Sequence, residues 1–251
     1  MRTLILSIFT FAATTMMAQV GEYRNDFAIG FNGGYALNTI AFQQEVSQSM
    51  HGGMTAGFTA RYVCEKYFKS ICALQAEVNI TQLGWKEKIE DVDGVACVNN
   101  VTGLPEQYQR DITYVQIPLF AQLGWGREVK GAKAFFQIGP QIGFKLSEKT
   151  KTNFAYQDAV NTTPTRVNTT HAQDSMAVEN TFDFGIVGGL GFEYSVPKVG
   201  HFIIEGRFYY GLGNIYGDSK KDFFARSNHQ TITVKMTYLF DIIRTRGAKR
   251  K

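Results

Sequence analysis

The stretch NDFAIGFNGGYALN, residues 25–38, alternates large apolar residues with small or polar ones. One face carries Phe27, Ile29, Phe31, Tyr35 and Leu37, and the other carries Ala28, Gly30, Asn32, Gly34 and Asn38. Because successive side chains of a β-strand point to opposite faces, this repeat of two residues predicts a strand with one apolar and one polar face.

Later segments repeat the same alternation and bring the number of predicted strands to eight. Their apolar positions fall within residues 54–62, 74–80, 115–123, 134–144, 182–194, 204–212 and 232–240. The connections alternate between short and long, and the long ones cover residues 39–52, 86–109, 147–180 and 214–227. Short turns at one end and long loops at the other are typical of antiparallel barrels of the outer membrane.

The N-terminal residues predict an exported protein. Arg2 precedes an apolar run from Leu4 to Ala13, and small residues then lead to Ala18. This order is typical of a cleaved signal peptide, which we place at residues 1–18. No later segment has the roughly 18 uncharged apolar residues that a membrane helix requires. A membrane location therefore requires a closed sheet, the one alternative that satisfies every backbone polar group in lipid.

The alternation alone leaves two architectures open, because a secreted lipocalin-like barrel has the same period with its apolar face inward. Three features favour the outer membrane. The polar face holds most of the in-strand glycines, its charges are few and balanced, and aromatic residues lie towards the ends of the apolar stripes. We therefore predict an all-β fold, an eight-stranded antiparallel transmembrane β-barrel in contact with outer-membrane lipid. It covers residues 19–240 and precedes a basic tail at residues 241–251.

Charged residues on the polar face of the strands form the candidate site. They are Arg61, Glu77, Lys145, Asp183, Glu193, Glu205, Arg207 and Lys235. Four are basic and four are acidic, so we expect a network of ion pairs in the lumen. Since the interior of an eight-stranded barrel is just filled by its side chains, we expect no passage of solutes.

Two cysteines flank the first short turn. Cys64 and Cys72 stand opposite one another if Tyr62 pairs with Leu74. A disulfide between them and two free thiols are both compatible with an oxidising periplasm, and Cys97 in a long loop leaves the count odd.

No catalytic, cofactor-binding or metal-binding pattern is present in the sequence. The cysteines and histidines lack metal-ligand spacing, and no GxSxG turn occurs. The histidines His51, His171, His201 and His229 fall in loops or at strand ends, where we expect them to lack partners. Despite a net charge of +4, the dispersed Lys and Arg residues form no nucleic-acid-binding stripe. We therefore predict a protein that is not an enzyme and has no cofactor, no nucleic-acid partner and no identified small-molecule substrate.

Four segments resemble the outer-membrane β-barrel proteins of the PorT-like family. They are YVQIPLF (residues 114–120), FFQIGPQIGFKLSEK (residues 135–149), FDFGIVGGLGFEY (residues 182–194) and YYGLGNIY (residues 209–216). This resemblance implies an outer-membrane barrel that acts as a structural or accessory component of type IX protein secretion, with other secretion-system proteins as partners. The alternative function is a surface binding or adhesion barrel that acts through its long extracellular loops.

Overall fold

The computed structural model describes residues 22–154, 172–217 and 223–244. The predicted signal peptide and residues 245–251 of the predicted basic tail lie outside this part of the chain. The strands are β1 (Glu22–Phe42), β2 (Gln48–Ser49), β3 (His51–Tyr67), β4 (Ser70–Glu87), β5 (Tyr108–Gly126), β6 (Gly131–Thr152), β7 (Phe182–Val196), β8 (Gly200–Gly211) and β9 (Ser227–Ile243), and the short helix α1 covers Ala172–Ser175. No helix in the described ranges is long and apolar enough to cross a membrane.

The long strands form a closed antiparallel ring. β1 pairs with both β3 and β9, and β4 pairs with both β3 and β5. The order round the ring is therefore β1, β3, β4, β5, β6, β7, β8 and β9, while the two-residue β2 lies beside the end of β4. The predicted eight-stranded barrel is confirmed. Closure leaves no long strand with an unpaired edge, as a sheet in lipid requires.

Several strands are longer than the alternating segments that predicted them. β6 has 22 residues, whereas about 9–11 residues cross a bilayer as a tilted strand. The extra length of β5 and β6 lies at the end of the barrel that carries the long connections. At the other end, β9 continues to Ile243, beyond the predicted barrel end at residue 240.

The apolar face of the sheet points outward. Met54, Phe58 and Met236 expose about two thirds of their surface or more, at 70%, 65% and 68%. By contrast, Glu77 and Arg207 are buried inside the ring. This arrangement is the reverse of a soluble barrel and fits a lipid environment, as the glycine and charge distribution predicted.

Glycines on the inner face make room for aromatic rings in the lumen. A Cβ atom at Gly191 would lie 2.4 Å from the ring of Phe135, and one at Gly185 would lie 2.8 Å from the ring of Tyr209. Both rings are buried. Gly185 and Gly191 are therefore required by the packing of the lumen.

We expect the substitution Val78→Arg to destabilise the barrel by about 2–4 kcal/mol, because it places a charge on the lipid-facing side of β4 near the middle of the apolar band. Urea unfolding in lipid vesicles measures the change. Val92→Arg, in the exposed connection after β4, is the matched control and should leave stability unchanged. Equal stability of the two variants would contradict a lipid-facing position for Val78.

Candidate functional site in the barrel lumen

A central cluster of charges crosses the full width of the lumen. Glu77 on β4 and Arg207 on β8 lie on strands that are opposite one another in the ring. Arg207 donates two hydrogen bonds to the Glu77 carboxylate, from Nη1 to Oε2 at 2.8 Å and from Nη2 to Oε1 at 2.6 Å. Lys235 Nζ on β9 donates to Glu77 Oε2 at 2.8 Å. One carboxylate thus joins three strands.

The same cluster includes a second carboxylate. Glu205 Oε1 accepts a hydrogen bond from Arg207 Nη2 at 2.6 Å, and Gln137 Nε2 donates to Glu205 Oε2 at 2.7 Å. The Arg207 guanidinium also lies over the ring of Phe120, 4.5 Å from its centroid. Two acids and two bases balance, so each buried charge has a partner, as burial of charge requires.

A second cluster lies nearer the short turns. Arg61 on β3 faces Glu193 on β7, again across the ring, and Arg61 Nη2 donates to Glu193 Oε1 at 3.1 Å. Lys133 Nζ lies 2.8 Å from Glu193 Oε2. His201 lies between two carboxylates, with Nδ1 2.8 Å from Glu193 Oε1 and Nε2 3.0 Å from Asp241 Oδ1.

The remaining two predicted residues belong to neither cluster. Asp183 accepts a hydrogen bond from Tyr209 Oη at 2.7 Å. Lys145 Nζ lies 3.3 Å from Glu148 Oε2 and donates to the Val178 carbonyl. The structure thus brings six of the eight sequence-predicted charges into two separate clusters and leaves the other two apart.

Lys133 and Gln137 were not among the predicted site residues, and the prediction that the histidines lack partners was wrong for those that the structure describes. His201 bonds to carboxylates, His51 Nε2 lies 2.7 Å from Asp111 Oδ1, and His229 Nε2 lies 3.4 Å from Tyr114 Oη. These side chains are buried because the strands extend beyond the predicted segments. His171 lies outside the described residues.

An apolar cap closes the end of the barrel that carries the long connections. Each of the four long connections contributes to one buried cluster, together with strand residues such as Trp85 and Tyr108. The contributing residues are Val46 from the first connection, Ile89 and Cys97 from the second, Val178 from the third, and Ile215, Tyr216 and Phe224 from the fourth. In this cap, burial raises the pKa of the Tyr216 phenol. The long connections therefore pack together over the barrel mouth.

The two cysteines beside the first turn are not bridged. Tyr62 does pair with Leu74, but a β-bulge then places Cys64 outside the ladder, and Cys72 pairs with Glu65. Both thiols are free. The expectation that Cys64 stands opposite Cys72 is corrected by this bulge, because the extra residue shifts the register.

The described residues of the lumen fill and neutralise it, and they show no arrangement for holding a metal ion. No group of three or more His, Cys, Asp or Glu residues in the described ranges has metal-binding geometry. What the lumen does provide is a set of contacts that hold opposite walls of the barrel together.

Comparisons with known proteins agree with this architecture. Residues 17–217 match the family model described as "Outer membrane protein beta-barrel domain". No curated protein matches the chain significantly. The match is to the general family and contains nothing specific to the PorT-like family or to type IX secretion.

Solved structures of outer-membrane barrels are similar to the chain at low identity. OprG of Pseudomonas aeruginosa is 14% identical over 88% of this chain and 98% of its own, with a TM-score of 0.45. Neisserial surface protein A is 10% identical over 85% and 97%, with a TM-score of 0.39. Ail of Yersinia pestis, in complex with the heparin analogue sucrose octasulfate, is 12% identical over 86% and 99%, with a TM-score of 0.35.

We expect Glu77→Gln to lower the free energy of unfolding by about 3–5 kcal/mol, because it leaves Arg207 and Lys235 buried with one carboxylate fewer. Thermal or urea unfolding in detergent measures the loss. Glu90→Gln is the control, since it removes the same charge from a more exposed pair with Lys88 and should cost less than about 1 kcal/mol. A Glu77→Gln barrel as stable as the parent would indicate a water-filled lumen.

Free thiols at Cys64 and Cys72 predict that both react with a maleimide reagent in the unfolded protein without any reductant. Mass spectrometry of the labelled peptides measures this. Labelling that requires prior reduction would reveal a disulfide and contradict the bulged register.

Proposed function

Because the chain belongs to the family of outer-membrane protein β-barrel domains, we propose that it is a non-enzymatic, non-conducting barrel that binds a partner at its capped end. The observation that carries this proposal is the shared apolar cluster of all four long connections. A barrel with a filled lumen and a closed mouth acts through its surfaces.

The filled lumen supports the absence of conduction. Side chains bridge opposite strands at two levels, Glu77 to Arg207 and Arg61 to Glu193. Cavities beside these two levels have volumes of about 20 and 30 Å³. Such volumes hold about one or two water molecules. A solute of ordinary size has no path past these side chains.

The capped end offers a supported surface for a partner. The connection after β4 is held by backbone hydrogen bonds, from Cys97 to Ile89 at 3.1 Å and from Glu106 to Cys97 at 2.9 Å. The same connection exposes Val92 and Val101 at 86% and 75%. Apolar side chains displayed on a fixed backbone are typical of protein contact surfaces.

The second candidate function is an accessory role in protein export, for which the resemblance to the PorT-like family suggests the type IX system. The short-turn end carries a charged rim that favours contact with periplasmic proteins. Arg24 and Lys66 both pair with Glu128, at 3.3 and 2.8 Å, and Arg244 pairs with Asp241 at 3.3 Å. In this function the partners are other secretion-system proteins, and they bind at the turn end.

Reconstituted into planar bilayers, the full-length protein should show no stepwise conductance, because the ion pairs and the cap block the lumen. The folded state of the same sample is checked by its altered migration on an unheated detergent gel. Stable open-channel steps from folded protein would contradict the proposal.

A deletion strain separates the two candidate functions. We expect it to lose attachment to immobilised matrix proteins while it secretes type IX cargo normally. Complementation with Val92→Ser, Val101→Ser and Leu104→Ser together should fail to restore attachment, since these changes remove exposed apolar contacts of the cap. Val129→Ser, in an exposed short turn, is the control and should restore attachment fully. Lost cargo secretion with normal attachment would instead support the export function.

A further inference from the structure

The outward face of β4, β5 and β6 changes from apolar to polar at one level. The strand register aligns the outward side chains in rows across these three strands. Counted towards the long connections, the first row holds Ile80, Val115 and Phe144, and the second holds Gln82, Thr113 and Ser147. The third row holds Gly84, Asp111 and Lys149, and the fourth holds Lys86, Gln109 and Lys151. Leu146, the extra residue of a bulge in β6, is also exposed, so the upper edge of the lipid-facing band lies between Phe144 and Ser147 on this side of the barrel.

The rows above this edge are cationic. Lys86, Lys149 and Lys151 are all exposed, and Asp111 is the one carboxylate in these rows. Lys151 Nζ lies 2.7 Å from Asp111 Oδ2, while Lys86 and Lys149 form no ion pair with any other described residue. At the same end of β1, by contrast, the outward position Leu37 is apolar.

The patch contains a cleft of about 380 Å³. Its lining includes His51, Asp111, Thr113, Ser147, Lys149 and Lys151. The Asp111 carboxylate is already engaged, by His51 Nε2 at 2.7 Å, Gln109 Nε2 at 2.6 Å and Lys151 Nζ. His51 is only 4% exposed and so forms a fixed base for the cleft. The Lys149 ammonium and the Thr113 and Ser147 hydroxyls remain as donors for a ligand.

We propose that this cleft binds a phosphate group on the headgroup of an outer-leaflet lipid. Lys149 and Lys151 line the cleft, and Lys86 lies in the adjoining row. These three ammonium groups outnumber the one carboxylate and favour an anion, and hydroxyl donors suit phosphate oxygens. The location indicates that this phosphate belongs to a lipid, because basic pockets beside the apolar surface of a membrane protein bind anionic headgroups. The inference goes beyond the proposed function and requires only that the long connections face the cell exterior.

The distances fit this location. Successive rows are about 7 Å apart along a strand, so Lys149 lies about 14 Å along the strand from Phe144. Strand tilt of about 35–45° reduces this to about 10–12 Å of height. The headgroup layer extends about 5–8 Å beyond the hydrocarbon, and the flexible lysine stem covers the remaining distance.

The test uses the full-length protein in detergent, titrated with bisphosphorylated lipid A, with native mass spectrometry to count bound lipid. Changing Lys86, Lys149 and Lys151 together to Gln should weaken binding at least about tenfold, since each basic residue near a lipid surface contributes measurably. Lys149→Arg should retain binding. The control changes Lys69, Lys130 and Lys198 to Gln, which removes the same charge from the exposed turns at the other end and should leave binding unchanged.

Two further arms identify the source of the phosphate. Lipid A stripped of both phosphates should bind the parent protein as weakly as lipid A binds the triple variant. If the parent protein binds the stripped lipid as tightly as intact lipid A, the proposal is overturned. It is also overturned if the triple variant binds lipid A as tightly as the parent while its heat-dependent gel shift shows that it is folded. Binding of inorganic phosphate in place of lipid A would assign the cleft to a free anion and overturn it as well.

Discussion

Ion pairs across the full width of the ring are the contacts on which this barrel depends. In a ring of eight strands, β4 faces β8 and β3 faces β7, and Arg207 and Arg61 each reach a carboxylate on the opposite wall. The interior of so small a barrel is just filled by its side chains. Because each charge is removed from water, its partner is required, and the loss of either one leaves an unpaired buried charge.

The lipid outside the barrel explains why the charges are inside it. Lipid-facing positions accept apolar side chains such as Phe58 and Leu190, so the polar residues of every alternating strand must occupy the lumen. The glycines complete the packing, since Phe135 and Tyr209 fit only where the neighbouring strand β7 has no Cβ, at Gly191 and Gly185. Ion pairing and close packing of the described residues together fill the lumen.

With the lumen filled, the surfaces that remain for function are the two ends and the outer wall. The end with the long connections is closed by an apolar cluster that includes Trp85 and Phe224, and this cluster holds the loops as one surface. The opposite end carries a charged rim around Glu128. Between the cap and the lipid band, the lysines of β4 and β6 meet the headgroup layer. The charged rim lies at the opposite end of the barrel from the cap and the lysines, so substitutions in the rim leave both of those surfaces intact.

The sequence by itself determined the eight strands, their antiparallel order and which residues face the lumen, because each depends on a period of two or on the length of a connection. It also identified the charged lumen residues, but it missed Lys133 and the burial of His201, which follow the same alternation beyond the predicted strand ends. Only the tertiary structure decided that Glu77 meets Arg207, since a contact between residues 130 positions apart depends on ring closure and strand stagger. The tertiary structure alone likewise decided the bulge at Cys64 and the cap formed by the long connections. A bulge is a departure from the period, and loops have no period from which their packing can be predicted.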